Sequence, residues 1–242
     1  MSSEAAPRVA TPPGDPDAEL ISALLAELDV SDGPLATFAK SYAHRVRLDR
    51  LEPPDPAELA AQVRGLYRFV DGRRGEVGVR AINPTVDRDG YRTPGTVVEA
   101  NTADAPFLID SVSEALRGRG LEVRHVVHPV MGVERTDQGA VRSVGPARGA
   151  LHRESMMHFE VDRRVPDDQL DDLAQAVTRV LGDVRLCVRD FHAMVDRIDR
   201  MVEFAQSAVT RYPKDEVSEA VALLHWLRAD NFVFLGYREY AT

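Results

Sequence analysis

Apolar side chains recur in this chain with two periods, and each change of period marks a new element. Over Thr96–Asp190 the order reads strand, helix, strand, strand, helix, strand. Thr96–Asn101 is a strand around Val97 and Val98, and Phe107–Arg117 is a helix closed by Gly118 and Gly120. Leu121–Glu134 is a second strand, with Leu121, Val123, Val127, Met131 and Val133 spaced in twos. Glu154–Asp162 sets Met157, Phe159 and Val161 against Glu154, His158 and Glu160, and Val184–Asp190 sets Val184, Leu186 and Val188 against Arg185, Cys187 and Arg189. Between them, Asp167–Leu181 is the clearest helix. Leu170, Leu173, Ala174, Val177, Val180 and Leu181 form its stripe, aspartates crowd its first turns, and Gly182 reads as its stop.

Period two puts one sheet face in a core and the other in water. The pattern therefore predicts an α+β fold, a ferredoxin-like βαββαβ sandwich with two helices over one face of a four-stranded sheet. Leu170, Val177, Phe159 and Leu186 are expected in one interior. The strand order is expected to be fourth, first, third, second. That order leaves the second strand at an edge, where Pro129 is tolerated.

The flanks are helical. Asp17–Leu28, Leu35–Val46 and Pro56–Val70 precede a short strand at Glu76–Asn83, and Asp190–Arg211 and Asp215–Arg228 follow the sandwich. Residues 1–15 read as a disordered leader, 16–75 as a helical region, 76–190 as the βαββαβ domain and 191–230 as a helical linker or hairpin. Asn231–Tyr240 reads as a strongly apolar strand that either pairs within the chain or opens a following domain. Asp137–Arg153 reads as a long loop.

The face turned from the two helices carries Glu99, Arg124, Val126, His128, Met156, His158, Glu160, Arg185 and Arg189. It is either a solvated surface or a docking face for another domain or subunit. As a docking face, its interface residues are Arg124, His128, His158, Glu160, Arg185 and Arg189.

The net charge of −9 argues against nucleic acid and anionic membranes as partners. No apolar run approaches the roughly 20 residues that span a bilayer. Cys187 is the single cysteine, which suits a reducing compartment, with the cytoplasm as default. His128 and His158 are expected near each other with Glu160 close by, but a metal needs three or four converging ligands and none is expected. Cys187 has no evident base, and no dinucleotide, phosphate-loop or GxSxG motif occurs, so no catalytic residue is assigned. The turn Asn101–Leu108 has binding potential, because backbone N–H groups at a helix start can hold a carboxylate. Its candidates are Asn101, Ala103, Asp104, Ala105, Phe107 and Leu108. The alternative is an ordinary loop in which Asp104 caps the helix and Pro106 opens it.

Asp104–Ser111 resembles the Asp-x-Pro-Gly-Leu-Leu signature of ACT domains, which are amino-acid-sensing βαββαβ modules that usually pair. It departs at Phe107, where many ligand-binding members carry glycine. A longer series is similar to the N-terminal region of the large bacterial NAD-specific glutamate dehydrogenases. That series is Ile82–Thr85, Thr96–Glu99, Pro106–Val112, Val126–Val130, Glu154–His158 and Phe234–Tyr240, in this order. The resemblance implies a non-catalytic, ACT-like regulatory and assembly segment, in contact with other domains or subunits of the same enzyme. The reaction, NAD-linked deamination of glutamate to 2-oxoglutarate and ammonia, would then lie in a later domain. NAD would be a cofactor of that parent enzyme and not of this segment. The alternative is a stand-alone ACT-type sensor with a small amino-acid effector at the Asn101–Leu108 turn.

Overall fold

The computed structural model describes residues 16–49, 54–207, 211–238 and 240, so the expected leader lies outside it. The chain divides into two compact units, Met1–Asp104 with Val112–Thr178, and Ala105–Ser111 with Arg179–Thr242. The fold is α+β, a six-stranded antiparallel sheet with flanking helices.

The first unit opens with α1 (Pro16–Leu28), α2 (Gly33–Asp49) and α3 (Pro56–Gly72). In α3, Asp55 caps the first turn, its Oδ1 accepting from the amides of Ala57 and Glu58 at 2.9 and 3.1 Å. Leu59, Val63, Leu66 and Val70 repeat at helical spacing and are buried. They join Leu20, Leu24 and Leu28 of α1 and Phe38, Tyr42 and Val46 of α2 in one core, together with Val127, Met131, Val133 and Met156 from the sheet.

The strands are β1 (Val77–Ile82), β2 (Val97–Ala103), β3 (Val123–Val127), β4 (Val130–Arg135), β5 (Val141–Pro146) and β6 (Arg153–Val161). Short helix α4 (Val86–Asp89) follows β1, and α5 (Leu108–Arg117) follows β2. The order is β1-β2-β6-β4-β5, with β3 also paired to β6.

Several expectations are corrected here. The second strand is broken in two, yet its register on β6 is the same on both sides of the gap. Val127 stands opposite His158 and Val130 opposite Ser155. The interruption sits at Pro129, whose carbonyl accepts from the Met156 amide at 3.0 Å but whose nitrogen has no proton to return. Nor is this strand an edge along its whole length. Beyond Pro129 its outer side pairs with β5, which lies inside the expected loop.

The expected fourth strand, Val184–Asp190, is helix. α6 runs unbroken from Leu170 to Ser207 after a 3-10 turn at Asp167–Gln169. The alternation of Val184, Leu186 and Val188 had a second meaning. Leu173, Val177, Leu181, Val184, Val188, Phe191, Met194, Ile198 and Val202 continue one stripe in steps of three and four. Leu186 falls off that stripe and is 48% exposed, so it is not the interior residue expected. Arg185 and Arg189 therefore belong to a helix, not to a sheet face. The place beside β2 that a fourth strand would fill is taken by β1, antiparallel, Val79 opposite Ala100.

In the second unit, α7 (Lys214–Trp226) passes into a π-helical turn at Leu227–Asn231. The described residues after it form no strand, against expectation. They lie on α6 instead. The Cys187 thiol donates to the Leu235 carbonyl at 3.0 Å, and the Arg197 guanidinium sits 5.1 Å from the Tyr237 ring centroid. No helix among the described residues is long and apolar enough to cross a membrane.

Gly182 distinguishes helix from helix stop. It lies inside α6 without a left-handed φ, and an added Cβ would meet nothing within 4 Å. Gly182→Ala should raise stability in urea by about 0.5–1 kcal/mol. A glycine that ended the helix would lose stability on the same change.

Candidate functional site

β2 and β6 are central strands, and their polar side chains are buried with their apolar ones. Glu99 and His158 are 0% exposed and Glu160 is 7% exposed. The face expected to be wet or to receive another domain is covered by α1–α3 of the same chain. Val126 is not on it. Val126 stands opposite Phe159, so the two share the other face. Arg124, another expected interface residue, is exposed beside Glu122.

The covered face holds a charged cluster. His158 Nδ1 lies 3.0 Å from Glu99 Oε1, and its Nε2 lies 3.6 Å from Glu160 Oε1. Arg80 of β1 donates Nε to Glu99 Oε2 at 2.5 Å, with its guanidinium carbon 5.0 Å from the Phe69 ring centroid of α3. From the helical side, the Gln62 side-chain amide nitrogen is 2.9 Å from the Tyr42 hydroxyl and 2.6 Å from His158 Nε2. The Tyr42 ring meets the His158 ring edge-on at 6.4 Å. His128, expected beside His158, lies past the end of β3. Its Nε2 has no hydrogen-bond partner among the described residues, and its carbonyl accepts from Arg45.

Burial by itself would lower the His158 pKa. Hydrogen bonds to Glu160 and Glu99, and their charges, raise it above its ordinary value. Burial likewise would raise Glu99, but the His158 hydrogen bond and the Arg80 charge hold it below its ordinary value. Below its raised pKa the His158 ring is an imidazolium between carboxylates. A protonated ring needs an acceptor at the 2.6 Å contact, which the Gln62 amide supplies when its oxygen faces the ring.

A second polar cluster lies toward one end of the same strands. Glu154 receives Arg73 Nη2 and Arg135 Nε on Oε1, both at 2.7 Å, and Arg135 Nη2 and Asn101 Nδ2 on Oε2, at 2.7 and 3.0 Å. Burial opposes ionisation of Glu154, yet Arg135, Asn101 and Arg73 keep its pKa below the ordinary carboxylate value. Arg135 also donates to the carbonyls of Val70 and Gly139 and to Asn101 Oδ1. Its five donors are thereby used.

This cluster backs an open cleft of about 530 Å³ lined by Ala103, Asp104, Val133, Arg135, Leu151, His152, Arg153 and Glu154. At its mouth Arg153 Nε is 3.9 Å from Asp104 Oδ2, while Asp104 Oδ1 accepts from Ser155. Of the six expected ligand residues, Ala103 and Asp104 line this cleft. Asn101 is buried behind it, and Ala105, Phe107 and Leu108 belong to the second unit. Phe107 has φ +69, a left-handed conformation costing a non-glycine residue about 1–2 kcal/mol. The backbone that glycine serves in the resembling motif is thus present with a phenylalanine on it.

Sequence reasoning missed Arg80, Gln62, Arg73 and Arg135. Two of them carried a signal. Arg80 is the one charge in the apolar run Val77–Ile82, and Gln62 interrupts the stripe of Leu59, Val63 and Leu66. A polar residue at a core position implies a buried partner. Among the described residues, no three His, Cys, Asp or Glu side chains converge as metal ligands would.

The sign of the pH dependence follows from the two shifts. The His158 contribution is complete below its ordinary 6.5 and is lost as pH rises through its elevated pKa. The Glu99 contribution is complete above its ordinary 4.5 and is lost as pH falls through its depressed pKa. Between those ordinary values both are present. His158→Gln removes the imidazole that faces both buried carboxylates and should cost about 3–5 kcal/mol in urea unfolding at pH 6. The penalty should shrink as pH is raised toward 9. A penalty that does not change with pH would mean a neutral His158.

Comparison with known proteins agrees with this architecture. A family model described as glutamate dehydrogenase, ACT1 domain, matches residues 38–177. An NAD-specific glutamate dehydrogenase of Pseudomonas aeruginosa is 30% identical over 209 residues, covering 85% of this chain and 13% of that protein. One from Halomonas elongata is 30% identical over 210 residues, covering 84% and 13%. One from Mycobacterium tuberculosis is 24% identical over 235 residues, covering 92% and 14%. The matched region is thus a small part of each of these relatives. With 140 of its residues spanned by the family model, more than half its length, the chain belongs to the glutamate dehydrogenase ACT1 domain family.

Proposed function

We propose that this chain is the regulatory and assembly segment of an NAD-specific glutamate dehydrogenase, with the chemistry carried elsewhere in the parent protein. The observation that carries the reading is the use made of the ionisable groups. Glu99, His158, Glu160, Arg80, Glu154 and Arg135 are spent on pairing the strands with one another, and Gln62, Arg73 and the Val70 carbonyl tie these pairs to the helical layer. They hold a scaffold together, and the two that border the cleft, Arg135 and Glu154, are paired with each other. NAD and glutamate, from the names of the relatives, would be bound by other parts of the parent.

A second reading rests on the cleft beside Asp104. Its mouth offers one cation and one carboxylate, Arg153 and Asp104, side by side over the apolar Val133 and Leu151. That arrangement suits a zwitterionic amino acid as effector, in the sense of an ACT-type sensor.

Two measurements separate these readings. The purified chain mixed with glutamate and NAD should give no NADH absorbance, whereas deleting it from the parent should alter oligomeric state or effector response. Turnover by the chain alone would refute the assignment of chemistry elsewhere. Calorimetry against the twenty amino acids should show saturable binding that Asp104→Ala abolishes, if the effector reading holds. No heat across the panel leaves the scaffold role and removes the effector.

A further inference from the structure

The motif Ile82–Thr85 contributes nothing to either cluster above, yet it does definite work. Asn83 Nδ2 donates to the Val165 carbonyl at 2.8 Å and to Asp167 Oδ1 at 2.6 Å. Thr96 Oγ1 donates to Asn83 Oδ1 at 2.7 Å and accepts from the Val165 amide at 2.8 Å. The Thr96 amide donates to the Arg163 carbonyl at 3.1 Å, and Arg164 Nη2 donates to the Pro84 carbonyl at 3.0 Å. The turn between β6 and α6 is therefore held on both sides.

What the turn presents is a pocket of about 150 Å³. It is lined by Arg119, Arg163, Arg164, Gln169 and Asp172, with Leu121, Val165 and Leu173 among its apolar walls. Arg119 Nη1 is fixed by Asp172 Oδ2 at 2.9 Å. Arg163 has only a distant carboxylate contact, Asp162 at 4.0 Å, and its side chain is 57% exposed. Gly120 has φ +70, and a Cβ there would stand 3.3 Å from Arg163 Nη2. The glycine leaves room for the guanidinium. Three guanidinium charges against one carboxylate give the lining a net +2, in a chain whose net charge is −9.

We infer that this pocket binds a compact dianionic oxyanion, a phosphate group, with Arg163 and Arg164 as its principal ligands. Guanidinium forks match phosphate oxygens in pairs, and such charge-assisted bonds are about twice as strong as neutral ones. The space is below the about 300–1,000 Å³ of pockets that enclose drug-sized ligands. It accommodates the anion, and whatever the anion is attached to lies outside. Gln169 supplies a neutral donor, and Asp172 holds Arg119 in place. The inference is independent of the amino-acid reading, since none of these residues borders the Asp104 cleft.

The test is calorimetry on the whole chain in chloride buffer at fixed ionic strength, with inorganic phosphate in one arm and adenosine monophosphate in the other. Saturable binding of phosphate is expected, with a Kd near or below about 1 mM. Arg163→Gln should weaken it about tenfold or more, with unchanged thermal unfolding in the absence of ligand. Gln169→Ala should weaken it less. Binding of the nucleotide alone, lost in Arg163→Gln, also supports the site and identifies the phosphate as part of a larger ligand. No saturation in either arm up to about 10 mM, ten times that Kd, overturns the inference. So does binding that Arg163→Gln leaves unchanged.

Discussion

A histidine held between carboxylates in a sheet interior is the constraint on which the rest of this structure turns. Charges without water are costly unless paired and hydrogen-bonded. Glu99, His158 and Glu160 are buried on the central strands, so their partners must come from whatever covers them. Arg80 comes from β1, and Gln62 and Tyr42 come from the helical layer. The requirement explains why a strand preceding the sandwich fills the place beside β2. It also explains why three helices preceding that strand share a core with the sheet. The Glu154 cluster repeats the arrangement toward the strand end, with Arg73 reaching in from beyond α3 and Arg135 from β4.

These ion pairs specify position more than they add stability. A buried pair contributes little net free energy over an apolar replacement, while breaking one is costly. The apolar layer beneath them is the larger favourable term. Leu24, Leu59, Leu66 and Met131 are almost wholly buried, and each contributes roughly 1.5–3 kcal/mol by leaving water. What the charges do is forbid other registers. A slip of one residue would send His158 and Glu160 to the face occupied by Phe159. A scaffold with one permitted register is suited to the regulatory or assembly role proposed above.

Much of this was legible in the sequence where period and punctuation agreed. Helix α3, with Asp55 and Pro56 at its start, strand β6, and the pairing of the Leu121–Glu134 stretch with β6 follow from spacing alone. Val184–Asp190 did not, because positions two apart and positions four apart overlap in a run of seven, and α6 used the second. Gly182 misled for a related reason, since an internal glycine and a terminal one look alike without a backbone angle. The polar face of β6 was identified correctly as a face, but not its cover. Alternation reports which side chains share a side, and it cannot distinguish water from a charged partner supplied from elsewhere in the chain. The Asp104 turn was located correctly, while the cleft beside it depends on Arg135 and Leu151, more than thirty residues away in sequence.

The central claim is that the charged face of the sheet is completed by the N-terminal helices and cannot stand without them. The most direct measurement is the urea unfolding of residues 76–242, from which α1–α3 are absent, beside that of the whole chain. The account predicts a cooperative transition for the whole chain and none for the shortened one, whose Glu99, His158 and Glu160 would face water across an uncovered core. A shortened chain that unfolds cooperatively at the same urea concentration as the whole would contradict it.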